Sequence, residues 1–220
     1  MSAPDDRKAL ARGHLTANRL DLAATVLLAV AAVATAWSSY QSARWSGEQA
    51  IAFSSSNAAR VNASRASARA DQLSQVDVST FIAWTQAYAT GNELLGDFYF
   101  RRFRDEFRPA VDAWIATRPL QNEDAPLTPF AMDEYRVAER ERAAELDAEA
   151  SRQTELARRN NQRSDNYVLA LVLFASSLFF AGISTKLSGL SHQATLLTIG
   201  WLVFLATLVW VLTFPVSFGV

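Results

Sequence analysis

The segment Leu22–Trp37, LAATVLLAVAAVATAW, contains no Asp, Glu, Lys, Arg or His. Two similar runs lie toward the other end, Tyr167–Ser184 (YVLALVLFASSLFFAGIS) and Ala194–Phe214 (ATLLTIGWLVFLATLVWVLTF). A chain of 220 residues has no inexpensive way to bury three uncharged helices in its own core. The bilayer is therefore their natural solvent.

Between the first two runs the composition reverses. Ser38–Asn166 holds 16 Arg, no Lys and 19 Asp plus Glu, a net charge of −3. That balance argues against nucleic-acid binding, which needs a strong positive excess. The two lysines, Lys8 and Lys186, amid abundant Ala and Arg, read as bacterial coding bias. The absence of cysteine rules out disulfides, thiolate nucleophiles and thiolate metal sites.

The expected organisation is a basic tail (1–19), transmembrane helix 1 (20–37), an extramembrane helical stalk and cap (38–166, tip about 91–129), transmembrane helix 2 (167–185), a short loop (186–193), transmembrane helix 3 (194–214) and a C-terminal tail (215–220). Arg7, Lys8, Arg12 and Arg19 before the first run, with Ala34-Thr35-Ala36 near its end, also fit a cleaved signal peptide. No helix breaker or polar cleavage region separates the run from the residues after Trp37, so a retained anchor is the preferred reading. Only six residues come after Phe214, and no tail domain is expected. At 1.5 Å per residue the first run covers only ~24–27 Å. Trp37, Tyr40 and Trp45 succeed it at helical spacing, as membrane-interface anchors would.

Beyond them, Ala59, Ala63, Ala66, Ala70 and Leu73 step by four and three with no Gly or Pro from Glu48 to Thr90. A second series, Ala143, Leu146, Ala150, Gln153, Ala157, Asn160 and Ser164, leads into the second run. Small-residue seams on two long helices suit close packing of one against the other. Glu139/Arg142, Glu149/Arg152 and Glu155/Arg159 are expected to pair along the second arm. The fold class is thus an all-α membrane protein: three transmembrane helices, with a long antiparallel helical hairpin and a small aromatic-cored cap between spans 1 and 2.

In the tip, Phe81, Trp84 and Tyr88 close the first arm and Gly91 ends it. Tyr99, Phe103, Phe107, Val111 and Trp114 then repeat at steps of four and three on a shorter helix, which Pro109 should kink or restart. Thr128-Pro129 reads as N-cap and first position of the third long helix. Tyr99, Phe103, Phe107 and Trp114, with Arg101, Arg104 and Arg108 beside them, form the candidate partner-binding tip. Those arginines are expected to pair with neighbouring acids, Asp97 and Asp105 about Arg101 and Glu106 with Arg102.

Flanking charge favours a cytoplasmic N-terminus at the first run and at Lys186, although the arginines before Tyr167 oppose it. The bet is an extracytoplasmic stalk.

Little in the chain looks catalytic. His14 and His192 have no metal-ligand companion in sequence, and no phosphate loop, dinucleotide pattern, nucleophile elbow or zinc motif is present. Glu141, Glu145 and Glu149 share a helix face that could take a divalent cation, but interleaved arginines make a solvated surface the better reading. Asn62-Ala63-Ser64 matches a glycosylation acceptor, discounted because it lies mid-helix. The apolar runs lack the ionisable groups that pumps and transporters need at bilayer depth. Ala32-xxx-Ala36 and Ser177-xxx-Ala181 permit close helix contact.

The sequences Trp37-Ser38-Ser39-Tyr40-Gln41-Ser42-Ala43-Arg44 and Phe179-Phe180-Ala181-Gly182-Ile183-Ser184-Thr185-Lys186, together with the one-plus-two arrangement of spans, resemble small uncharacterised bacterial inner-membrane proteins, a domain of unknown function. The resemblance implies architecture and a multi-pass inner-membrane location, and nothing catalytic. The expectation is a non-enzymatic scaffold or interaction protein without cofactor or metal, partnered by lipid and by either its own copies or another protein. The alternative is a subunit of an oligomeric channel or transporter.

Overall fold

The computed structural model describes residues 3–187 and 189–218, with side chains from Asn18 onward. The side chains of Arg7, Lys8, Arg12 and His14 lie outside the described residues. Among the described residues the regular structure is entirely helical: α1 (Ala3–Ala89), α2 (Glu93–Phe100), α3 (Arg108–Ala116), a 3-10 turn at Pro129–Ala131, α4 (Ala138–Ser184) and α5 (Leu190–Val211).

From Asn18 to Ala89 Gly47 is the sole helix breaker in α1, so nothing interrupts its hydrogen-bond ladder. Its C-terminus closes on Gly91, at φ +68°. The Gly91 N–H bonds the Tyr88 carbonyl and the Asn92 N–H bonds that of Ala87, a double closure that needs the left-handed conformation glycine adopts freely. Asn92 then caps α2 by accepting from the Leu95 N–H at 3.1 Å.

Burial along α1 keeps a seven-residue frame. Ala24, Ala31, Ser38, Trp45 and Ala52 are buried at steps of seven, and half-buried Ala59, buried Ala66 and half-buried Leu73 continue the series. A second row, Ser56, Ala63, Ala70 and Asp77, keeps the same interval. Of the second expected seam, Ala143, Ala150, Ala157, Asn160 and Ser164 are buried. Both series therefore face protein as the spacing predicts.

Three expectations fail locally. The repeat from Tyr99 to Trp114 is not one helix: α2 stops at Phe100, Phe103 and Phe107 occupy the turns after it, and Pro109 restarts the chain in the first turn of α3. Thr128-Pro129 opens only the 3-10 turn, and the long helix starts at Ala138, ten residues after Thr128. Among the three expected ion pairs of α4, Glu149–Arg152 forms, at 2.6 Å. Glu139 turns instead to Arg69 on α1, at 3.8 Å.

The chain divides into two compact units, Met1–Phe53 with Glu155–Val220, and Ser54–Thr154. In the first, α1, α4 and α5 pack around Leu27, Tyr167, Phe174, Leu197 and Phe204. These three helices are long and apolar enough to cross a membrane. Leu22, Val33, Val172, Phe179, Leu202 and Val209 are exposed on their outer faces, a surface costly in water and at no disadvantage in hydrocarbon. Ser177 and Ala181 are buried between helices, whereas Ala32 and Ala36 face outward. At Gly200 a Cβ would lie 3.1 Å from a Leu27 methyl and 3.3 Å from the Phe180 Cβ, so glycine permits close approach there.

Polar ties mark both ends of this unit. At one end the Gln193 amide donates to Asp21 at 2.8 Å. Twenty residues along α1, a rise of about 30 Å and equal to a hydrocarbon core, buried Gln41 accepts from the Ser217 N–H and donates to its carbonyl. Trp45 and Tyr167 both donate to the Pro215 carbonyl, at 3.2 Å each. Trp45 is thus a buried residue under the Arg163 guanidinium, not an interfacial anchor. Its position in the frame turns it inward. Trp37 and Tyr40, off that frame, are exposed.

In the second unit, Ser56 donates to the Ala150 carbonyl at 2.9 Å and meets Thr154 at 2.8 Å. Asp71 lies 3.4 Å from Arg140. Replacing fully buried Ala150 with Leu is expected to overpack this seam and cost about 1–3 kcal/mol. Exposed Ala148→Leu should stay within about 0.5 kcal/mol of wild type. Denaturant unfolding in detergent, followed by far-ultraviolet circular dichroism, separates the two.

Candidate functional site

The most developed cluster of side chains lies in the unit Ser54–Thr154 and starts from one carboxylate. Asp77 sits on the seam of α1, with its side chain 1% exposed. A buried carboxylate must find strong partners or lose its charge. Arg104 supplies them as a two-pronged fork, Nε to Oδ1 at 2.9 Å and Nη2 to Oδ2 at 2.8 Å. Its remaining Nη1 reaches Glu106 at 2.9 Å, and the Tyr135 hydroxyl donates to Asp77 at 3.3 Å. Bonding to Asp77, and secondarily to Glu106, holds the Arg104 guanidinium protonated more firmly than an ordinary arginine.

This network joins three chain segments: α1, the turn between α2 and α3, and the irregular stretch before α4. Aromatic rings cover it. Phe81, Phe103, Phe107, Ala110 and Val111 form the buried core, with Trp84, Trp114 and Phe130 against them. Phe107 stacks on Phe130 with centroids 5.1 Å apart and meets Tyr135 edge-on at 5.7 Å. Edge-to-face contacts also bring Phe81 to Trp114 at 5.4 Å. Such pairs add about 0.5–1.5 kcal/mol each beyond their buried area.

The geometry reassigns part of the expected partner-binding tip. Phe103 and Phe107 are buried, and Arg104 holds Asp77, so these three side chains build the cap from within. Arg108 reaches Asp105 at 3.8 Å. Arg102 lies over the Phe98 ring at 3.7 Å rather than against Glu106, because the chain leaves the helix at Phe100 and the i+4 spacing no longer brings them together. Arg101 is exposed, Tyr99 half-buried, and Trp114 half-buried with its indole N–H on the Pro126 carbonyl at 2.6 Å.

Asp77 is the residue that sequence reasoning missed. The seam Ala63, Ala66, Ala70, Leu73 continues by a step of four to Asp77 and again to Phe81. An acid on an apolar seam is a signal of internal pairing, and it stood in plain view.

The acidic face of α4 behaves as a surface. Glu141 and Glu145 are exposed, Glu141 lies 3.3 Å from Arg136, and the Gln153 amide, then Arg152, draw the Glu149 pKa below its usual value. His192 is exposed in the first turn of α5. Among the described residues no group of three His, Cys, Asp or Glu side chains is arranged to hold a metal ion. Comparisons with protein-family models, with curated proteins and with solved structures find no match to this chain.

Removing Asp77 alone takes away the two-pronged partner of Arg104 and leaves the guanidinium to Glu106. Asp77→Ala is expected to cost the cap about 3–5 kcal/mol, and pairing it with Arg104→Met should recover much of that loss. Hydrogen exchange of Phe81, Phe107 and Val111 amides reads both. Burial, foremost, raises the Tyr135 pKa above its ordinary 10.0. As pH rises past 10, the unfolded chain ionises this phenol first while the folded cap resists. The contribution is full below that point and lost as pH climbs through the raised value. Cap stability should therefore fall more steeply at alkaline pH in wild type than in Tyr135→Phe, as measured by near-ultraviolet dichroism during thermal melts from pH 8 to 11.

Proposed function

We propose that this chain is a non-catalytic, multi-pass protein of the bacterial cytoplasmic membrane that works as a scaffold. In this reading the helical region 38–166 is an antiparallel, coiled-coil-like hairpin on the extracytoplasmic side, and its aromatic-cored cap binds a protein partner or another copy of the chain. The observation that carries it is apolar exposure on the cap, outside the three apolar helices. Leu94 and Leu127 are 84% and 94% exposed, and Phe98, one turn after Leu94 on α2, is 41% exposed. Apolar side chains exposed together on one helix face, as Leu94 and Phe98 are, mark surfaces that become covered on association.

Two further observations support the reading. The titratable groups with the strongest partners, Asp77 and Arg104, are engaged in holding the cap together. Within the apolar helices, the hydroxyls of Ser177 and Thr207 bond carbonyls of their own helix, Leu173 and Val203, which leaves them poorly suited to line a transport path.

In-cell crosslinking of the full-length protein, followed by mass spectrometry, tests the proposal. A discrete complex is expected from wild type and should be lost in Leu94→Asp/Leu127→Asp, with expression and melting temperature unchanged. A monomer with no crosslinked product, or a complex indifferent to these changes, would overturn it. The chain lacks cysteine, so Gln121→Cys alone reports orientation. Labelling by an impermeant maleimide in intact cells is the expected result, and labelling only after lysis would reverse the topology.

A further inference from the structure

We infer that the cap carries a binding pocket for a small molecule with an apolar body and a single anionic group. The inference does not depend on the partner-binding reading, because Leu94 and Leu127 are not part of this pocket. The cavity has a volume of about 640 Å³ and is walled by Trp84, Tyr88, Trp114, Ile115 and Leu120. That size falls within the range of small-molecule sites, which are typically apolar with a few polar groups fixing orientation.

Its walls are fixed by the core behind them. Trp114 is held by its bond to Pro126 and by the Phe81 edge, while Trp84 packs against Phe81 at 5.8 Å and Phe103 at 6.0 Å. A pocket held this way loses little freedom when filled.

Polarity at the pocket has one sign. Arg118 is the charged residue of the lining, accompanied by Thr85 and Gln121 and by no Asp or Glu. Among the described residues no carboxylate lies within ion-pairing distance of Arg118. An apolar wall with one cation selects an apolar ligand with one anion.

Arg118 is also in an unusual conformation. It has φ 55°, and no other non-glycine among the described residues has positive φ. It comes directly after the C-cap Thr117 of α3, a position glycine normally fills. The loop locks it there: the Arg118 carbonyl accepts from the Gln121 and Asn122 N–H groups at 2.8 and 3.0 Å, and the Asn122 side chain donates to the Thr117 carbonyl at 3.2 Å. Glycine would relieve the turn, and arginine in its place puts a cationic residue in the lining of the pocket.

The test uses full-length protein labelled with 5-fluorotryptophan in nanodiscs of zwitterionic lipid. Each of the six tryptophans gives a fluorine resonance, and Trp84→Phe and Trp114→Phe identify the two in the pocket. Dodecanoate and naphthalene-2-carboxylate are titrated against their neutral alcohols, which separates an acyl body from an aryl one. At least one anion should shift the Trp84 and Trp114 signals saturably, at least tenfold more tightly than its alcohol. Arg118→Gly should weaken the anion at least tenfold, leave the alcohol unaffected and not lower the melting temperature, since the turn is relieved. Arg118→Gln provides the same comparison with side-chain bulk retained. No saturable shift, an unsaturated drift of all six signals, or anion binding unchanged in both variants would overturn the inference.

Discussion

Close approach of helix backbones is the constraint to which the rest of this structure answers. Along α1 the buried positions are held largely by small residues, Ala24, Ala31, Ser38, Ala52, Ser56, Ala63, Ala66 and Ala70, and α4 offers Ala143, Ala150, Ala157, Ala170, Ser177 and Ala181. Small seams bring helices near and fix their register, but each alanine removes little apolar area from water. The large contributions come from elsewhere in each unit. In the apolar unit they come from Trp45, Tyr167 and Phe174, and in the other from Phe81, Phe103 and Phe107, whose rings each bury several times the area of an alanine methyl. Seam residues set geometry, and aromatic clusters stabilise it.

Buried polar groups obey the same division. Gln41 closes two bonds on the Ser217 backbone, and Ser164 meets both Ser42 and Ser46, at 3.0 and 2.9 Å. Asp77 gathers Arg104 and Tyr135. Every one of these contacts joins chain segments far apart in sequence, and each is directional where the alanine seam is not. Polar side chains in this protein specify which segments meet. Around these contacts, apolar side chains such as Leu94 and Leu127 stand open on the surface.

Long-range periodicity was legible in the sequence and local chain reversals were not. The three apolar runs, the continuity of α1 through residues 48–89 and the two alanine seams could be read because many residues repeat one physical signal. Within the cap the same reasoning misled: Phe103 and Phe107 keep the helical interval from Tyr99 after α2 has ended, since aromatic side chains in successive turns can converge on one core from irregular backbone. Thr128-Pro129 carried a real start signal, but for a single turn. Trp45 was misassigned because aromatic residues flanking a span are legible as a class, while the face each one occupies depends on the packing frame. Asp77 could have been found from that frame, and Arg118 could not, because an arginine in a left-handed turn leaves no mark in composition or spacing.

The seven-residue frame of α1 has a consequence for how this protein can change length. Deleting one residue from an arm of the unit Ser54–Thr154 rotates everything beyond it by about 100°, swinging Ala63, Ala66 and Ala70 away from α4 and Asp77 away from Arg104. Deleting seven from each arm shortens the pair by about 10 Å and returns each surviving side chain to its former face. Growth or loss is therefore quantised and reciprocal. The two arms behave as opposite edges of one ruler, and neither edge can be recut without the other.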